Sequence, residues 1–229
     1  MKFGIIAAME EELKTLLMAL QDKEEVIVLG KTYYAGHIGQ HEVVLVQSGI
    51  GKVMSAMSVA ILAETFAVDT IINTGSAGAV AQGLAIGDVV IADCLVYHDV
   101  DVTAFGYAFG QMAGQELYYQ ADQTLMARLQ EVLNQQGIHS HVGLIATGDS
   151  FIAGQEKVDV IKEHFPEVLA VEMEGAAVAQ AAQAAGKPFL VIRAMSDTAQ
   201  GDANITFDEF VVEAGKRSAK TLLTLLTSY

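Results

Sequence analysis

Three carboxylates stand in this chain where apolar segments stop: Glu12 just past Ile5–Met9, Glu174 past Val168–Val171, and Asp197 past Phe189–Met195. One guanidinium, Arg193, lies inside the last of those apolar runs, and if buried it must be paired, a carboxylate or a bound water being its natural partner. Carboxylates at strand ends are equipment for proton transfer and for holding hydroxyl groups. Glu172-Met173-Glu174 invites reading the two glutamates as an acid–base pair. Attraction to a helix N-terminus accounts for one glutamate there and less comfortably for two. Asp197 equally suits a cap on the loop that follows it. Met9 and Met173, beside these acids, suit adaptable packing against a ligand as well as ordinary core filling.

Other chemistries fit poorly. Gly75-Ser76-Ala77-Gly78 lacks the Lys-Ser/Thr ending of a phosphate loop and the spacing of a dinucleotide fingerprint, and reads as a tight strand-to-helix turn with its N–H groups open to a neutral ligand. Ser76 and Ser150 have no Gly-x-Ser-x-Gly elbow around them. His98-Asp99-Val100-Asp101 would place Asp99 and Asp101 on one strand face, but without a matching His or Cys elsewhere it favours hydrogen-bonding or surface roles over a metal site. Cys94, mid-strand, reads as a small buried hydrophobe.

The elements that must position these residues alternate. Strands are expected over Lys2–Ala8, Glu25–Leu29, Tyr33–Ile38, Val43–Gln47, Asp69–Asn73, Asp88–Leu95, Val142–Ala146, from Val168, and over Phe189–Met195. Helices are expected over Glu10–Gln21, Lys52–Phe66, Asp122–Gln136 with Gly137 as C-cap, Lys157–His164, from Ala176 to Ala185, and Asp208–Leu226, the last after a polar loop from Thr198 to Ile205. Gly30-Lys31 and Gly39-Gln40 look like hairpin turns. Tyr97–Tyr119 is a long irregular segment, the kind that is functional or at an interface. This alternation predicts an α/β chain, a largely parallel sheet flanked by helices, and one domain over residues 1–229. In such a sheet the strand-end clusters gather at one edge, where ligands bind.

The 229 residues carry a formal charge of −15, and Arg128, Arg193 and Arg217 are the only arginines, which argues against a nucleic-acid partner or a free-phosphate clamp. No apolar stretch reaches the roughly 18 residues of a membrane span. Glu10–Glu12 interrupt the N-terminal apolar run before it can be a signal peptide, and the single cysteine suits a reducing cytosol.

Several motifs together resemble the bacterial 5′-methylthioadenosine/S-adenosylhomocysteine nucleosidases: residues 5–13, Ser48–Val53, Ile72–Gly78, Tyr97–Tyr107, Gly148–Ile152, Val171–Glu174, Arg193–Asp197 and Phe207–Phe210. They run in order over almost the whole chain. The resemblance implies a three-layer, nucleoside phosphorylase-like fold with a mixed central sheet, a homodimer with Tyr97–Tyr119 near the interface, and no cofactor or metal. It implies hydrolysis of the N-glycosidic bond of 5′-thioadenosines and 5′-deoxyadenosine-type nucleosides, as in methionine salvage. By position, Asp197 looks like the acid that protonates adenine N7, and Glu12 like the base that activates water, with Ser76 and Arg193 near it. Glu174 would bind the ribose hydroxyls and Met173 would pack on the sugar. Phe151 would stack on adenine, and the backbone of Ile152 would read its edge. Met9, Ile50, Val102, Phe105 and Phe207 would line the pockets, with Gly78 and Ser196 among the substrate-binding positions. Two alternatives stand beside this: a phosphorolytic enzyme of the same fold, disfavoured by Asn73, and a non-catalytic nucleoside binder.

Overall fold

The computed structural model describes residues 1–199 and 203–228, without the side chains of 203–206. β1 (Lys2–Ala7) is followed by α1 (Glu10–Ala19) and by three strands, β2 (Gln21–Val28), β3 (Lys31–Ile38) and β4 (His41–Gln47), joined by tight turns at Gly30 and Gly39. Then come α2 (Lys52–Glu64), β5 (Thr70–Ala79), β6 (Val89–Tyr97), a short 3-10 turn at Thr103–Phe105, and β7 (Tyr119–Gln120). The chain continues through α3 (Gln123–Gln135), β8 (Ser140–Thr147), α4 (Gln155–His164), β9 (Ala170–Glu172), α5 (Gly175–Ala184), β10 (Phe189–Asp197) and α6 (Ala203–Thr227).

The strands form one sheet in the order β10-β6-β8-β9-β5-β1-β4-β3-β2, with β7 on β6. β10 also pairs with β5, so β10, β6, β8, β9 and β5 close into a ring from which β1–β4 extend as a wing. Among the described residues five pairings are parallel and five antiparallel, so the sheet is mixed rather than largely parallel. β5 and β10 run one way; β6, β8 and β9 run the other.

Helices cover both faces, which is why β1 and β5 are apolar on both sides and buried along nearly their whole length. On one face Leu13 and Leu16 of α1, Leu125 and Leu129 of α3, and Leu222 and Leu225 of α6 pack on Phe3, Ile5, Leu45, Ile72 and Ile192. On the other, Val59 and Leu62 of α2 and Ala176, Val178 and Ala182 of α5 meet Ile6, Val44, Ile71 and Val191. α3 starts where the Asp122 carboxylate accepts from Leu125 N at 2.9 Å and ends before Gly137, whose φ of 69° is left-handed, as expected of a helix C-terminus. No helix among the described residues is long and apolar enough to cross a membrane.

Several expected boundaries move. Gly75-Ser76-Ala77-Gly78 is no turn: it lies inside β5, hydrogen-bonded to β10 and β9. Glycine composition signals turns, but here it serves close packing. A Cβ on Gly75 would lie 2.3 Å from Arg193 Nη1 and 2.8 Å from Glu12 Oε1, and one on Gly78 would lie 2.8 Å from Asp197 Oδ1. The strand from Val168 is only the three residues of β9, because the Glu172 carboxylate then turns to accept from the N–H groups of Glu174 and Gly175. β6 stops at Tyr97, so Asp99 and Asp101 share no strand face. The last helix starts at Ala203, which shortens the expected polar loop; its residues 200–202 lie outside those described. Cys94 is mid-strand but only half-buried, and burial pushes its thiol up to about 12.

Candidate active site

A cavity of ≈ 290 Å³ opens where the ring meets the wing. Its walls come from six places in the chain: Ala8, Met9 and Glu12 at the β1–α1 junction; Ile50; Ser76–Gly78 in β5; Ser150–Ile152 after β8; Val171–Glu174 at the β9–α5 junction; and Ser196, Asp197 and Phe207 around the end of β10. The expected convergence is therefore real, but its cause differs. β8 and β9 run opposite to β5 and β10, and it is ring closure that brings Glu172, opposite Thr147, alongside the last residues of β5.

Glu12 is the third residue of α1 and is 2 % exposed. Its Oε2 accepts from the N–H groups of Ala8 (2.9 Å) and Met9 (3.1 Å); its Oε1 accepts from Ser76 N and Ser76 Oγ, both at 3.0 Å. Helix start and β5 thus fix the carboxylate from both sides, with charge and orientation supplied by backbone amides.

Arg193 is fully buried behind this wall. Its Nη2 donates to Glu172 and to Asn73 Oδ1 and stands 3.5 Å from Glu174 Oε2. Burial works against its charge, but the carboxylates of Glu172, Glu174 and Glu12 hold its pKa above the ordinary value. Glu172 also accepts from Thr147 Oγ1 and from the first amides of α5, so one carboxylate anchors the cation, β8 and the helix start together. Among the described residues Arg193 Nε and Nη1 have no hydrogen-bond partner, and Nη1 faces Gly75, as does Glu12 Oε1.

Glu174 Oε1 accepts from Gly51 N at 2.9 Å, across the cavity wall. Burial, opposed by Arg193, pushes its pKa from 4.5 up to about 7. Ionising this group in the fold costs free energy that the unfolded chain does not incur. Its contribution to stability is thus fully present below about pH 4.5 and lost as pH rises through about 7. Glu174→Gln is accordingly expected to gain in Tm relative to wild type at about pH 8 and to show no such gain at about pH 5; thermal melts at both values measure this.

Asp197 sits past a β-bulge between Met195 and Asp197, which re-aims its side chain. Oδ1 accepts from Ala199 N (2.8 Å) and Oδ2 from Ser196 Oγ (2.9 Å). Burial raises its pKa above the usual carboxylate range, against the lowering pull of those two donors. Phe151 and Phe207 meet edge-to-face at 5.4 Å beside it and supply an aromatic wall.

Of the residues expected at a site, Met9, Glu12, Ile50, Ser76, Gly78, Phe151, Ile152, Met173, Glu174, Ser196, Asp197 and Phe207 line this one cavity. Arg193 lies behind it, paired with a carboxylate as its burial requires. Val102 and Phe105 do not line it: Val102 is partly buried against the hydrophobic core, and Phe105, in the 3-10 turn, is 81 % exposed. Ala8 and Val171 line the cavity unforeseen, while Ala77, Ser150 and Glu172, which also line it, lie in the strand-end clusters expected to gather there. Among the described residues, no side chain in the lining is basic.

Residues 2–227 match the family described as the phosphorylase superfamily. A 5′-methylthioadenosine/S-adenosylhomocysteine nucleosidase of Geobacillus thermodenitrificans is 46 % identical over 99 % of this chain and 97 % of its own length. The solved S-adenosylhomocysteine nucleosidase of Streptococcus pyogenes, in complex with 5-methylthiotubericidin, superposes with a TM-score of 0.98 at 68 % identity, covering 100 % of this chain and 97 % of that one. The 5′-methylthioadenosine/S-adenosylhomocysteine nucleosidase of Streptococcus pneumoniae, solved with a transition-state inhibitor, gives 0.97 at 66 % identity over 99 % of each chain. Full-length similarity of this order, on a mixed sheet whose strand ends enclose an acidic, aromatic cavity, places the chain in the phosphorylase superfamily, among the 5′-methylthioadenosine/S-adenosylhomocysteine nucleosidases.

Proposed function

We propose that this chain, as one domain, hydrolyses the N-glycosidic bond of 5′-methylthioadenosine and S-adenosylhomocysteine, giving adenine and the 5′-thioribose. The observation that carries this is the cavity itself: four carboxylates, Glu12, Glu172, Glu174 and Asp197, with two aromatic rings and, among the described residues, no basic side chain in the lining. Such a wall suits a neutral nucleoside and a neutral water and presents an acidic surface to a phosphate.

In this reading Asp197, whose neutral form burial favours, gives its proton to adenine N7 as the C1′–N9 bond breaks and the bonding electron pair moves into the ring. The ribosyl carbon becomes oxocarbenium-like. Water adds to C1′ and passes its proton to Glu12, beside Ser76 and Arg193; this is the division of labour of inverting glycosidases. Glu174 accepts from the ribose hydroxyls, and Met173 packs under the sugar. Phe151 and Phe207 flank adenine, and the backbone of Ile152 reads its edge, with Met9, Ile50, Gly78 and Ser196 completing the walls.

The chain works as a homodimer in this reading. Ile50, Val53, Met57, Phe105 and Met112 are exposed large apolar side chains, more than a monomer's surface readily tolerates if contiguous. A partner that buries the Tyr97–Tyr119 segment gives Val102 and Phe105 a place at the open rim of the neighbouring cavity.

The deciding assay measures adenine release from methylthioadenosine, adenosylhomocysteine, adenosine and inosine, each with and without phosphate. Release from the two thionucleosides without phosphate is expected. A requirement for phosphate makes the enzyme a phosphorylase, and tight binding without turnover makes it a nucleoside-binding relative.

A further inference from the structure

Outside the cavity, three charged side chains tie together the segments that wall it. Lys52 opens α2, and its Nζ donates to both oxygens of Asp99, at 2.9 and 2.8 Å. Asp99 Oδ2 also accepts from Asp149 N at 2.8 Å, and Asp149 Oδ1 accepts from Lys52 N at 2.9 Å. Asp149 therefore caps a helix that cannot cap itself, since the residue before Lys52 is Gly51, which has no side chain. The Lys52 ammonium also lies 5.2 Å from the centre of the Tyr97 ring, and Tyr97 OH donates to Gln180 of α5 at 2.7 Å. A closed circuit results, joining segment 48–52, the end of β6, the segment after β8, and α5.

Each arm leads directly to the cavity. Gly51 N, one residue before Lys52, holds Glu174 Oε1, and Ile50 lines the wall. Phe151 and Ile152 follow Asp149 by two and three residues and form the aromatic side. Gly51 has φ +97°, and a Cβ there would lie 3.0 Å from Asp149 Oδ1, so the approach of the two segments depends on that glycine. Yet Lys52, Asp99 and Asp149 themselves do not line the cavity.

We propose that the Lys52–Asp99–Asp149 cluster is a positioning latch that holds Glu174 and Phe151 in register for nucleoside binding, without touching the substrate. The proposal rests on reading the cavity as the nucleoside site. With the latch broken, the competent arrangement becomes one of several, and apparent affinity falls by the fraction of molecules still in it. Once substrate is bound the wall is complete, so the bond-breaking step keeps its rate.

The test is Asp99→Asn, followed by steady-state adenine release and by hydrogen exchange at residues 49–52 and 149–152. KM is expected to rise about tenfold with kcat within about twofold, the pattern of lost uniform binding. The Lys52 and Asp99 side chains are 23 % and 25 % exposed, so salt reaches the pair: wild-type KM should climb with ionic strength, and that of Asp99→Asn should stay flat. Lys52→Arg should keep a low KM, because its fork still bridges a carboxylate, whereas Lys52→Met should match Asp99→Asn. Exchange should quicken at both segments in Asp99→Asn. An unchanged KM, or a fall in kcat at constant KM, overturns the latch, as does unchanged exchange. If the wild type releases no adenine, the nucleosidase reading fails, while the exchange arm still decides whether these three residues hold the two segments together.

Discussion

Replacing Asp197 by Asn lowers kcat for adenine release by about 10²–10⁴-fold, the range of general acid catalysis, with the fold intact. Adenine leaves poorly as an anion, so a proton must reach the ring as C1′–N9 opens. Asp197 is placed for that by a bulge that turns its side chain into the cavity and by burial that favours its neutral form. An asparagine there fits the same space and still accepts one of the two hydrogen bonds made by Ala199 N and Ser196 Oγ. It can donate to N7 but has no proton to give up. Stopped-flow and steady-state release, with melts to verify folding, measure this. A variant with wild-type kcat removes Asp197 from the mechanism.

Glu12→Gln carries the second large effect, a fall of about 10²–10⁴-fold in kcat, because the base that receives the water proton is gone. Its structural consequence differs from that at Asp197. The Glu12 carboxylate accepts four hydrogen bonds, from Ala8 N, Met9 N, Ser76 N and Ser76 Oγ. Glutamine presents an NH₂ to one pair of those donors, leaving buried N–H groups facing N–H. That costs about 1–3 kcal/mol of stability in addition to the kinetic loss. Activity, Tm and affinity for a non-hydrolysable analogue therefore separate the two roles. Lost kcat with retained analogue binding identifies the base, and full activity places water activation elsewhere.

What could be read from the chain was local. Strand and helix order follows from apolar periodicity, and acids placed at apolar ends single out Glu12, Glu174 and Asp197, all of which reach one cavity. What could not be read was long-range pairing. Ring closure puts β8 and β9 against the direction of β5, so the site is assembled from both strand directions and not from one sheet edge. Gly75–Gly78 reads as a turn because glycine signals turns; in the fold the missing side chains make room for Arg193, Glu12 and Asp197. A structural role for Glu172 could be read beside Glu174, but its partners Thr147 and Arg193 could not, because they come from other strands. Val102 and Phe105 stand outside the cavity of their own chain, where no local pattern could have placed them.

Ring closure also sets when this protein can begin to work. β10 completes the ring, with Arg193 opposite Gly75 and Val90, so its partners were made more than a hundred residues earlier. At roughly 5–20 residues per second, a nascent chain carries Glu12 for on the order of ten seconds or more before Asp197 exists. Once made, Glu172 and Glu174 still lack the buried cation between them until Arg193 follows in β10. The site is therefore complete only late in synthesis, once β10 has docked between β5 and β6 and α6 has followed it.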